Sequence, residues 1–151
     1  MFRGVHAINL DAKGRMAIPA RYRQGLQDQC RGQLIITVDR ESCLLIYPLP
    51  EWETIEEKLT RLPTLDKKAR ALQRMLIGHA SECELDSHGR ILVPTMLREY
   101  ASIDKRVILL GQGNKFELWD EQIWGERRSQ WLRDESEGEE PLSSQLGSLS
   151  F

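Results

Sequence analysis

Apolar and polar positions alternate loosely from Val5 to Leu10, stop at Asp11-Ala12-Lys13-Gly14, and resume in the apolar stretch from Arg15 to Ile18. An aspartate-initiated turn, with a glycine free to adopt positive φ, predicts a hairpin of two short strands. Pro19 suits the start of a short helix that Gly25 is expected to end. Two further strands follow, Gln33 to Val38 and Cys43 to Tyr47, joined by Asp39-Arg40-Glu41-Ser42; Leu34, Ile35, Ile36 and Val38 read as buried on both faces. The period then changes. Trp52, Ile55, Leu59 and Leu62 step by three and four along one helical face that stops at Pro63, and a second helix, roughly Leu65 to Leu76, places Leu65, Ala69, Leu72 and Leu76 together. Lys67, Lys68, Arg70 and Arg74 fall on the rest of that helix, a solvated face or a basic boundary surface.

The same order then returns: a strand from Gly78 to Leu85, the turn Asp86 to Gly89, a strand Arg90 to Val93, and a short helix behind Pro94. Strands Val107 to Leu110 and Lys115 to Trp119 flank the turn Gly111-Gln112-Gly113-Asn114, and a closing helix carries Ile123, Trp124 and Trp131. Leu10-Asp11-Ala12-Lys13-Gly14-Arg15-Met16-Ala17-Ile18-Pro19 is rewritten 75 residues later as Leu85-Asp86-Ser87-His88-Gly89-Arg90-Ile91-Leu92-Val93-Pro94. Arg23 falls opposite Arg98, and at a spacing of 72 Trp124 falls opposite Trp52. One supersecondary unit is therefore used twice, and fold and function are argued for the unit and then doubled.

Composition changes this picture in three places. The chain has 151 residues, 40% of them hydrophobic, which is enough for one ordinary domain or two small intertwined halves. No apolar run reaches membrane-spanning length and Met1-Phe2-Arg3-Gly4 lacks a secretory pattern, so a cytoplasmic protein with no membrane partner is expected. Cys30, Cys43 and Cys83 are odd in number and never paired as Cys-x-x-Cys, and His6, His79 and His88 have no metal-binding spacing. Neither a disulfide framework, nor a metal site, nor any cofactor is expected.

The formal charge of −2 conceals an asymmetry. Five of the 23 acidic residues, Asp134, Glu135, Glu137, Glu139 and Glu140, lie in a terminal stretch with no basic residue, so residues 1–133 carry 21 basic against 18 acidic side chains. That stretch, 134–151, is rich in Ser, Glu and Gly without periodicity, and disorder is expected there. Residues 1–23 hold Arg3, Lys13, Arg15, Arg21 and Arg23 against Asp11 alone, a local excess that suits a polyanion.

The duplicated turn supports two readings. Asp11 can accept backbone N–H bonds and pair with Arg15, and Asp86 can do the same with Arg90, so both pairs can simply hold two hairpins in shape. Equally, an arginine at a turn can present its planar fork to O6 and N7 of guanine, while Gly14 or Gly89 lets the backbone come close. Lys13 and His88 share one slot, a permanent charge in one copy and a titratable one in the other. Arg3, Arg21, Arg23 and Arg98 are candidates for positioning a phosphate backbone. A hydrolase using Asp11 and Asp86 as a proton-sharing pair is the remote alternative, opposed by an arginine four residues after each aspartate; no other nucleophile or base constellation points to an enzyme. A structural or protein-interaction ring is the other alternative, drawn from four tryptophans and two amphipathic helices.

Strand, Asp-x-x-Gly-Arg, apolar strand, Pro and a short arginine-bearing helix together resemble the SpoVT-AbrB unit of swapped-hairpin DNA-binding proteins. Two such units in one chain, opened by Met1-Phe2-Arg3-Gly4, resemble the MraZ family over nearly all of residues 1–133. The resemblance implies a mainly β, α+β fold: a pseudo-two-fold AbrB-like barrel of interleaved units at 1–63 and 78–133, linked by a helix at 64–77. It also implies a ring-shaped homo-oligomer, an octamer or dodecamer. The implied function is transcriptional regulation through double-stranded DNA with short G-containing direct repeats, in the promoter of the division and cell-wall gene cluster that begins with the family's own gene, together with association with the nucleoid. On that basis Arg15 and Arg90 are expected to touch bases and Asp11 and Asp86 to orient them.

Overall fold

The computed structural model describes residues 1–137, and the remainder of the acidic stretch lies outside the described residues. Its elements run β1 (Phe2–Asn9), β2 (Arg15–Ala17), α1 (Ala20–Cys30), β3 (Gln33–Val38), β4 (Leu44–Pro48), α2 (Leu49–Thr60), α3 (Lys67–Leu76), β5 (Ser81–Glu84), β6 (Arg90–Leu92), α4 (Thr95–Tyr100), β7 (Arg106–Gly113), β8 (Phe116–Asp120) and α5 (Glu121–Glu137). The fold is mixed α+β. Strand-strand-helix-strand-strand-helix occurs twice, with α3 between the copies; Trp52 and Trp124 each occupy the fourth position of their helix. Residues 1–121 form one compact unit, and those from Gln122 to Glu137 belong to a second.

Both turns form as expected, but the strands flanking them do not pair with each other. β1 runs antiparallel to β7, β5 to β3, and β2 to β6, so each expected hairpin opens and its arms find partners in the other copy. Only β3–β4 and β7–β8 are hairpins within a copy, and β4 against β8 joins them. The six-stranded sheet has the order β1-β7-β8-β4-β3-β5, which reads the same backwards once each strand is replaced by its repeat counterpart. Met16 faces Ile91 at the centre of β2–β6, and Leu45 faces Glu117 at the centre of β4–β8. The pseudo-two-fold relation passes through these two pairs.

Alternation along β3 and β4 divides the apolar residues between two cores. Leu34, Ile36, Val38, Leu44 and Ile46 join Met16, Ile18, Ile91 and Val93 in the main cluster, with Leu26 of α1 and Leu97 of α4. Ile35, Leu45 and Tyr47 point the other way, onto Trp52 and Leu59 of α2 and the partly buried Leu72 and Leu76 of α3. Burial on both faces, expected for β3, follows from helices lying on the side opposite the main core.

Several boundaries depart from expectation for local reasons. α1 passes through Gly25, where an added side chain would meet nothing within 4 Å, and buries Tyr22, Leu26 and Cys30 at successive i, i+4 positions. It ends instead where Arg31 and Gly32 take positive φ and Gly32 N–H donates to the Leu26 carbonyl at 3.2 Å, the two-residue left-handed exit common at helix ends. α3 begins at Lys67 because the Asp66 carboxylate accepts from the N–H of Lys68 and of Ala69. Leu65, expected on its apolar face, lies before this cap and is 95% exposed. Ala80 N–H bonds to the Ile77 carbonyl in the turn leaving α3, so β5 starts at Ser81 and not Gly78. α5 continues to Glu137, past the boundary at 134. Within it Trp124 and Trp131 meet edge to face at 5.6 Å.

Cys30 and Cys43 are buried free thiols, and Cys83 is a partly buried one whose pKa burial pushes up to about 12, making it a weaker acid. Among the described residues no helix is long and apolar enough to cross a membrane, and no group of three or more His, Cys, Asp or Glu converges as a metal site would require.

Candidate nucleic-acid interface

The two turns are built alike from the backbone outward. Asp11 N–H donates to the Arg15 carbonyl and Gly14 N–H to the Asp11 carbonyl; Asp86, Arg90 and Gly89 repeat both bonds at the same distances, 2.9 and 3.0 Å. Gly14 lies at φ 86° and Gly89 at φ 73°, values that L side chains adopt only with strain. One Asp11 carboxylate oxygen accepts from Lys13 N–H and Arg15 N–H, both at 2.9 Å, and the other from Arg15 Nε at 2.7 Å. Asp86 accepts from His88 N–H at 2.8 Å, Arg90 N–H at 2.9 Å and Arg90 Nε at 2.9 Å.

These bonds stabilise the ionised carboxylates. The Arg90 N–H is the largest influence on Asp86, overcoming partial desolvation, and with His88 N–H and the Arg90 guanidinium it lowers the carboxyl to about 2. Asp11 is lowered for the same reasons, led by Arg15 N–H. A proton-sharing pair requires one carboxyl pushed up, whereas here both are pushed down. The geometry therefore speaks against the Asp11–Asp86 dyad of the hydrolase reading.

Each aspartate holds the guanidinium of its arginine through Nε alone. Nη1 and Nη2 of Arg15 and of Arg90 have no hydrogen-bond partner among the described residues, and both side chains are 31% exposed. The turn fixes the stem of each guanidinium and leaves its terminal amino groups open.

Pairing of β2 with β6 brings the two arginines onto one surface. Arg15 lies opposite Leu92 and Ala17 opposite Arg90, while Met16 and Ile91, one residue on, are buried against the core. A strand alternates faces with period two, so Arg15, Ala17, Arg90 and Leu92 form the outer face of a two-stranded ribbon. The arginines stand diagonally across it, roughly 7–8 Å apart by ordinary sheet geometry. Lys13 and His88 project from the exposed turns.

Each turn is also braced from the opposite copy. Arg98 Nε donates to the Val93 carbonyl at 3.0 Å and its Nη2 to Thr95 Oγ1 at 2.9 Å, and its guanidinium lies over Gly14, where an added side-chain carbon would come within 2.7 Å of Cζ. Arg23 reciprocates. Its Nε donates to the Ile18 carbonyl at 2.7 Å, and a carbon on Gly89 would approach that nitrogen to 2.4 Å. Val93 N–H to the Gly14 carbonyl at 3.0 Å, and Ile18 N–H to the Gly89 carbonyl at 2.9 Å, lock the same crossings.

Arg3 and Arg21 are not brought to this surface. Arg21 donates to the Arg3 carbonyl at 2.5 Å and to Tyr22 Oη, which itself bonds the Arg3 carbonyl and, at 2.9 Å, His6 Nε2. Arg3 lies six residues before the end of β1, about 20 Å along an extended strand. Sequence reasoning missed Ala17 and Leu92 as members of the outer face. Their signal was present in the spacing of two from Arg15 and from Arg90.

A family model described as "MraZ protein, putative antitoxin-like" matches residues 1–75 and again 76–141. The chain is 60% identical over 151 residues to a protein named transcriptional regulator MraZ from Thioalkalivibrio sulfidiphilus, 57% over 152 to one from Methylococcus capsulatus, and 54% over 152 to one from Halorhodospira halophila, each covering the whole of both chains.

Proposed function

The chain belongs to the MraZ family, and on that premise we propose that it is a transcriptional regulator that binds double-stranded DNA through the outer face of the β2–β6 ribbon. The observation carrying this reading is the pair of guanidinium groups, each anchored through Nε to its own aspartate and each with both terminal nitrogens open, on a ribbon whose reverse face is buried. The major groove admits a two-stranded ribbon and displays guanine O6 and N7 to such a fork. Fixing the stem in advance means that little side-chain freedom is lost on binding.

Arg15 and Arg90 read guanines, Asp11 and Asp86 orient them, and Gly14 and Gly89 allow the close approach. Lys13, and His88 more weakly, add charge at the turn tips. Arg23 and Arg98 brace the turns, and Arg3 and Arg21 serve at most a more distant stretch of phosphate backbone. The units at 1–63 and 78–133, joined by 64–77, act as one reading head within a swapped-hairpin barrel.

The target is a set of short G-containing direct repeats, as in the promoter of a division and cell-wall gene cluster including the chain's own gene. One mildly basic head binds weakly, so a ring-shaped homo-oligomer, an octamer or dodecamer, engages several repeats at once on nucleoid DNA.

Fluorescence anisotropy with a promoter duplex of three or four G-containing repeats tests the reading. Salt-dependent binding is expected for the unaltered chain, with a loss of at least about 30-fold for Arg15→Ala combined with Arg90→Ala, while light scattering shows the same assembly. A single-repeat duplex should bind far more weakly than the multi-repeat one. Unchanged affinity in the double variant overturns direct readout and leaves a ring that serves protein interactions; equal affinity for one repeat and for several overturns multivalency.

A further inference from the structure

The ribbon's two arginines are equivalent, but the apolar residues beside them are not. Opposite Arg15 stands Leu92, 51% exposed; opposite Arg90 stands Ala17. A lone exposed leucine is unremarkable on most surfaces. This one lies on the same narrow face as two guanidinium groups with open terminal nitrogens, in direct register with one of them.

We propose that Leu92 is a specificity-determining residue that meets the C5 methyl of a thymine beside the guanine read by Arg15, and so gives the pseudo-symmetric ribbon a polarity on DNA. This inference rests on the DNA reading above. The thymine methyl is the apolar feature that base edges offer in the major groove. Residues directly opposite in an antiparallel pair are about 5 Å apart, so Leu92 reaches one or two base steps of roughly 3.4 Å from the base under Arg15. Ala17 ends at Cβ and cannot extend as far beyond the backbone from its position opposite Arg90. One half of the head thus reads guanine with an apolar neighbour, and the other half guanine alone. A head symmetric in charge but not in apolar reach can settle on a non-palindromic repeat in one orientation.

Replacing thymine by uracil in the multi-repeat promoter duplex removes the C5 methyls and leaves the hydrogen-bonding groups of the base edges in place. Uracil confined to one strand should weaken binding by the unaltered assembly about three- to tenfold, uracil confined to the other should not, and Leu92→Ala should abolish the difference. If neither strand's uracils matter, if both strands matter equally, or if Leu92→Ala remains as methyl-sensitive as the unaltered chain, the inference fails, although binding that depends on Arg15 and Arg90 upholds the DNA reading. A smaller assembly for Leu92→Ala by light scattering, with no methyl effect, assigns the leucine to a subunit contact and also overturns it. Absence of arginine-dependent binding in the unaltered chain removes the DNA reading and this inference together.

Discussion

The first turn, Asp11 to Arg15, and the second, Asp86 to Arg90, differ where they meet solvent and agree where they are braced. Their aspartate bonds agree to within 0.2 Å, both glycines take positive φ, and each is covered by an arginine from the other copy. The tips carry Ala12-Lys13 against Ser87-His88, and the outer ribbon positions Ala17 against Leu92. The lesson is that the bracing admits little variation, since each aspartate and each bracing Nε has a set backbone or arginine partner, whereas residues facing solvent can diverge without disturbing the turn. The strands entering the turns diverge as well: β1 has eight residues along β7, and β5 only four along β3.

The largest effect that bears on this equivalence comes from the turn glycines. Gly14→Ala and Gly89→Ala each force a side chain into left-handed backbone, costing about 1–2 kcal/mol, and press on Arg98 or Arg23. Urea unfolding should show comparable losses, with Gly89→Ala the more costly given its shorter approach. A loss at one glycine and none at the other would break the equivalence.

Acid unfolding compares the aspartates. Both carboxyls are lowered on folding, so each contributes stability that is present above the unfolded carboxylate range near pH 4 and fades as pH falls through the folded value, about 2 for Asp86. Asp86→Asn should make the loss of stability between pH 4 and pH 2 shallower, and Asp11→Asn should act in the same direction. Carboxyl titration followed by NMR gives the two folded values directly.

The smallest effect lies at the tips. Lys13→Ala should lower the slope of log affinity against log salt by about 1 per engaged turn, while His88→Ala should lower it less. His88→Lys should then make the halves alike in salt response. Equal slopes for the two alanine variants would show that the tips do not divide the work in this way.

Much of the site was legible because it is local. Asp, Gly and Arg at fixed offsets specify a turn with an oriented guanidinium, and both copies adopt it. Asp66 illustrates a local signal overlooked, since a capping aspartate two residues before Lys68 dictates the start of α3 more strongly than Leu65 extends its apolar face. Arg23 and Arg98 were visible as a matched pair, but their seats over Gly89 and Gly14 depend on residues more than sixty positions away.

By itself, the sequence determined the duplicated unit, the type and order of its elements, and the turn chemistry that holds Arg15 and Arg90. Tertiary structure alone decided that β2 pairs with β6, that Met16 and Ile91 turn inward, and that both arginines, with Ala17 and Leu92, therefore share one outer face. The reason is physical. Side-chain patterning encodes backbone conformation and which face is buried, but the N–H and C=O groups that join strands are the same at nearly every residue. The choice of partner is settled only when the two copies close around a common core.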